Sequence, residues 1–100
     1  MEKDVGTILV EFNNLAANIY SATFDQFSES IRKIKRNKDE NVFKLQSAKY
    51  EDMLKHRLEV EVKKILQAND HQEFHKQLEF ALLLRINYYL QEFRQRSNAL

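Results

Sequence analysis

Apolar side chains recur along most of this chain at steps of three and four residues, the spacing that stacks side chains on one face of an α-helix. Val5, Ile8, Phe12, Leu15 and Ile19 form the first such stripe, and Tyr20, Phe24, Phe27, Ile31 and Ile34 form the second. The two are out of phase by one residue, and the slip falls at Ser21-Ala22-Thr23. Two readings fit this slip. Thr23 and Gln26 make a capping box that starts a new helix, or a single helix over 4–36 rolls its stripe.

Residues 36–41 contain no apolar member and read as a connection. Phe43, Tyr50, Leu54, Leu58, Val62 and Ile65 then carry a second long helix over 41–68, with Asp39 and Glu40 suited to its positive N-terminal dipole end. Leu58, Val60 and Val62 alternate with Glu59 and Glu61 in the manner of a strand, but no hairpin or partner strand stands nearby. Asn69-Asp70 marks the next break. Asp70 with Glu73 resembles a capping box and opens a last helix over 70–96.

The expected fold is therefore all-α: an antiparallel up-and-down bundle of three long helices, or four if the first is split, in one domain over 1–100. Its core is expected from Phe12, Leu15, Ile19, Phe27, Ile31, Leu54, Leu58, Val62, Ile65, Leu78, Leu82, Ile86, Tyr89 and Phe93. Composition agrees. Pro, Cys and Trp are absent and the sole glycine is Gly6, so the chain after Gly6 lacks the usual breakers and C-caps. Acid-to-base pairs at i,i+4 recur in the later segments: Glu29–Lys33, Glu40–Lys44, Glu51–Lys55, Glu59–Lys63 and Glu92–Arg96.

The last segment departs from a simple amphipathic pattern. Phe74, Leu78, Phe80, Ala81, Leu82, Leu83, Leu84, Ile86, Tyr88, Tyr89, Leu90 and Phe93 cover well over half of a helical circumference, whereas a surface helix needs one stripe. In a bundle of three or four helices the surplus has no obvious place, which points to a partner. Arg85 falls inside this apolar arc, in angle near Phe74, Leu78 and Tyr89. It is expected either buried against a carboxylate, or snorkelling at a rim, or anchoring an interface. Leu83, Leu84, Arg85, Tyr88 and Tyr89 are the expected partner-binding residues. The equal alternative for the tyrosines and Arg85 is that they close one end of an ordinary core.

Charge changes the picture little. A formal net charge of +1 argues against a general polyanion binder. Locally, Arg32, Lys33, Lys35, Arg36 and Lys38 make a basic cluster. It serves either as a nucleic-acid contact or, the weightier reading, as cations at a helix C-terminus. His71, His75 and Glu79 lie one turn apart if helical and are weak candidates for a metal; the chain matches neither His-Glu-x-x-His nor Glu-x-x-His, because Gln72 stands where the Glu would be. No Cys nucleophile exists, and no Gly-rich phosphate loop or oxyanion-hole loop is visible.

The sequence thus predicts a non-enzymatic helical interaction module without a cofactor: a homo-oligomer, or a subunit, adaptor or chaperone in a larger assembly, of coiled-coil-like packing. The alternative is a small dimeric nucleic-acid-binding regulator using residues 32–38. No apolar run is long enough to insert in a membrane, since Arg85 and Asn87 interrupt the longest, and the Met1-Glu2-Lys3-Asp4 start lacks the features of a signal peptide. A cytoplasmic location is the expectation.

Overall fold

A computed structural model describes residues 3–34 and 38–100. Three helices account for nearly all of them: α1 (Val5–Ser30), α2 (Glu40–Ala68) and α3 (His75–Asn98). Each helix packs on the other two. Cross-helix partners fix the directions. Thr23 meets Arg57 and Phe27 meets Phe43, so α1 and α2 are antiparallel; Ser47 meets Ser97 and Glu51 meets Arg94, so α2 and α3 are antiparallel as well. The result is the expected up-and-down three-helix bundle, with Cα extents of 55 × 18 × 18 Å.

α1 is one unbroken helix, which settles the first open question of the sequence. Its N-terminus is capped by Asp4, whose carboxylate accepts the Thr7 N–H at 2.7 Å, and that bond holds the Asp4 carboxyl below its ordinary range. Thr23 starts no new helix. It is buried, and its hydroxyl oxygen accepts from Arg57 of α2 at 2.8 Å. The phase slip has a simple cause: α1 serves two neighbours. Ile8, Phe12 and Thr23 occupy the flank towards α2, while Tyr20 and Phe24 occupy the flank towards α3, where they meet Tyr89 and Phe93. The helix stops at Ser30 rather than at 36, its end tied by the Ile31 N–H and the Ser30 hydroxyl, both donating to the Phe27 carbonyl.

α2 stops at Asn69, whose side-chain amide donates to the Ile65 carbonyl at 2.8 Å. The expected capping box at Asp70 and Glu73 does not form. Residues 69–74 make turns, and α3 begins five residues later than expected, at His75.

The core runs the length of the bundle through Phe12, Leu54, Leu58, Val62, Leu78, Leu82, Ile86 and Phe93. It is richest where α1 ends: the rings of Phe24, Phe43, Tyr50 and Phe93 surround Phe27, with centroids 5.3–5.9 Å from it. Leu15, expected in the core, is exposed instead, because it lies at the edge of α1's α2-facing flank. Ile19, Ile31, Ile65 and Tyr89 pack on the core half-buried, and Ile8, Ala16, Phe24, Phe43 and Leu90 join it beyond those expected.

Candidate functional site

α3 turns one face to the other two helices through Leu78, Leu82, Ile86, Leu90, Phe93 and Ser97. The opposite face remains uncovered. Phe80 is 65% exposed, Leu83 45%, Leu84 53% and Tyr88 53%. Phe80, Leu84 and Tyr88 follow one another at four-residue steps and so form a continuous ridge along the outside of the helix. Isolated apolar residues on a surface are ordinary; a ridge of three with Leu83 beside it is a patch.

Exposed Lys76 and Glu92, one turn before Phe80 and one turn after Tyr88, bound the ridge, and the row between them is uncharged. Exposed Gln77, Asn87, Gln91 and Gln95 continue it along the outer face of α3. α1 is similarly bland, its charged residues being Glu11, Asp25 and Glu29, with Val10, Asn14, Ala17 and Ser21 exposed between them. α2 is the reverse: Lys44, Lys49, Asp52, Lys55, Glu59, Lys63 and Lys64 all face outward. α2 thus carries the densest outward charge, with Val42, Leu45 and Val60 exposed among it.

Arg85 and Tyr89 border the ridge. Arg85 is exposed, and among the described residues no carboxylate pairs with it, so the buried ion pair is not formed. Tyr89 is half-buried, its hydroxyl donating to the Asn13 carbonyl of α1 at 3.3 Å. Burial raises its pKa, the neighbouring Tyr88 adds to the rise, and the Arg85 cation opposes it. Tyr88 packs edge-on against Tyr89 with ring centroids 5.3 Å apart. The five residues expected at a partner surface thus split: Leu83, Leu84, Arg85 and Tyr88 reach solvent, and Tyr89 locks α3 to α1 beneath them. Phe80 belongs with them, a residue marked in the sequence only by its place in the apolar arc.

The other candidates separate. Arg32, Lys33 and Lys38 are exposed on the connection after α1, beyond the helix end, with Arg32 3.4 Å from Glu29; Lys35 and Arg36 lie outside the described residues. His71, His75 and Glu79 do not share a helix face, since His71 sits in the turn before α3 with Asp70 3.6 Å from its ring. Among the described residues no three metal-binding side chains converge. Of the i,i+4 pairs, Glu40–Lys44 forms at 3.6 Å, while Glu51 turns across to Arg94 at 2.6 Å and Arg96 lies 4.1 Å over the Phe24 ring. The Glu51 contact raises the Arg94 pKa still further.

One groove was not legible in the sequence. About 530 Å³ opens between the start of α1 and the end of α2, lined by Ile8, Phe12, Leu15, Ile65 and Ala68, with Lys64 at its rim. It explains the exposure of Leu15. Among the described residues no helix is long and apolar enough to cross a membrane. No family model, curated protein or solved structure matches the chain.

Proposed function

We propose that this protein is a non-enzymatic interaction module that docks another protein surface on the outer face of α3. The observation that carries this reading is the uncovered ridge of Phe80, Leu84 and Tyr88, with Leu83 beside it, on a helix whose other face already completes the core. Apolar area left in water is a standing cost of about 25 cal/mol per Å², and association removes it. Leu84 and Phe80 supply that area. Tyr88 and Arg85 supply an aromatic and a cationic anchor of the kinds enriched where binding energy concentrates. Tyr89, fixed to Asn13, holds Tyr88 in place before binding, which lowers the ordering cost.

The test is a photoreactive amino acid placed at Leu84 in the full chain, in the cells that make it, with Lys55 on the charged face of α2 as control. The Leu84 variant forms a discrete protein adduct on illumination and the Lys55 variant does not. Absence of an adduct at Leu84 refutes the reading.

A further inference from the structure

We infer that the surface docking on α3 is that of a second copy of this chain, related by a two-fold axis that passes between Tyr88 and Tyr89. This rests on the reading of α3 as a docking face and names its partner.

Charge carries the argument. Along the α1-facing edge of the ridge stand three exposed charges, Arg85, Glu92 and Arg96; Arg96 lies over the Phe24 ring of α1, and Arg85 and Glu92 stand seven residues apart. Among the described residues neither Arg85 nor Glu92 has an ion-pair or hydrogen-bond partner. They are about 10 Å apart along the axis, too far to satisfy each other within one helix. Seven residues is also close to two helical turns, so both point the same way. Their midpoint is Tyr88–Tyr89. A two-fold axis there runs two α3 helices antiparallel and sets each Arg85 beside the partner's Glu92, twice over. Such an isologous contact needs a self-complementary face, and this pair of charges makes one. A parallel pair would set Arg85 against Arg85 and Glu92 against Glu92, so the same residues select the antiparallel arrangement.

Three further features fit. The axis lies within about two residues of the middle of α3, so the two helices overlap along almost their whole length of about 36 Å. Asn87 and Gln91 lie between the two charges along the helix, with Gln77 and Gln95 beyond them; these exposed amides both donate and accept, and so match a copy of themselves without an opposite charge. The Tyr89–Asn13 bond brings the uncharged flank of α1, with Val10 and Ala17, alongside the middle of α3, which widens the surface beyond one helix. The flank runs the roughly 36 Å of α3 on a bundle 18 Å across, so the roughly 800 Å² per partner of a stable interface draws on both α3 and α1.

The experiment is sedimentation equilibrium on four purified proteins: the natural chain, Arg85→Glu, Glu92→Arg, and the double variant. The natural chain has twice the 12.0 kDa mass of one chain. Each single reversal sets two like-charge contacts across the axis and weakens the dimer about tenfold or more. The double variant restores both ion pairs with their signs exchanged and recovers the natural Kd. Circular dichroism confirms that all four stay helical, as expected for exposed positions. A monomeric natural chain overturns the self-association, and so does a double variant as weak as the singles. In either case the adduct at Leu84 is read separately: a different protein there leaves the docking face standing with a foreign partner, and no adduct removes the face itself.

Discussion

Leu82 and Leu84 are two residues apart on the same helix and chemically identical, yet they have opposite surroundings. Leu82 is fully buried, and Leu84 is 53% exposed on the ridge. Truncating Leu82 to Ala removes buried apolar volume and leaves a cavity, a loss of about 2–5 kcal/mol. Against a total stability of about 5–15 kcal/mol this is a large share. For a domain of this size it lowers Tm by at least about 8 °C. Leu84→Ala in dilute solution, where the chain is dissociated, leaves stability within about 0.5 kcal/mol. Its effect falls on association instead, weakening the complex by about fivefold or more if Leu84 lies in a binding centre. The assay is urea unfolding followed by far-ultraviolet circular dichroism, paired with sedimentation of each variant. Equal destabilisation by the two substitutions in dilute solution refutes the reasoning, because it means that α3 is turned so that Leu84 faces the core.

Gly6 sits in the first turn of α1, where an added Cβ would meet the Asp4 carboxylate at an ordinary 3.5 Å; Gly6→Ala stabilises the chain by about 0.4–1 kcal/mol, and thermal unfolding reads the gain. Thr23→Val removes the oxygen that accepts from Arg57 and costs about 1 kcal/mol, since Arg57 keeps Gln26 at 3.0 Å; urea unfolding that is unchanged would show the bond to be idle. Tyr89 ionises in the folded chain above its usual pKa, so its contribution to stability is complete below about pH 10 and is lost as pH rises through the raised value. Tyr89→Phe flattens that alkaline loss, and phenolate absorbance of the natural chain shows one tyrosine titrating late.

The fold was legible because helices declare themselves through period, and three stripes separated by two polar breaks leave few arrangements. The central core positions of α2 and α3, Leu54, Leu58, Val62, Leu78, Leu82, Ile86 and Phe93, follow from spacing alone. α1 was harder. A helix wedged between two neighbours buries a broad arc, so its stripe rolls and mimics a break at Ser21–Thr23, and an edge residue such as Leu15 looks like core. The late start of α3 was hidden because Asp70 and Glu73 have the right chemistry for a cap but the chain spends them in turns. The excess of apolar residues in α3 implied more apolar surface than the bundle could cover, and Leu83, Leu84 and Tyr88 are part of what stays exposed. What one helix does not encode is the cross-helix choice of partner. Glu51 had a local Lys55 and took Arg94 instead, a bidentate contact with a residue 43 positions away in sequence.

The two ends of the bundle are not equally secured. At one, four aromatic rings pack around Phe27; at the other, α1 and α2 part around the groove beside Ile8 and Ile65. Spontaneous opening is cheapest where fewest apolar groups must separate. Amide protons of the last turns of α2 therefore exchange with solvent ahead of those around Phe27 and Phe93, and a protease cuts first near the 69–74 connection. The bundle yields from that end as a zip does, and the rings around Phe27 are the last teeth to part.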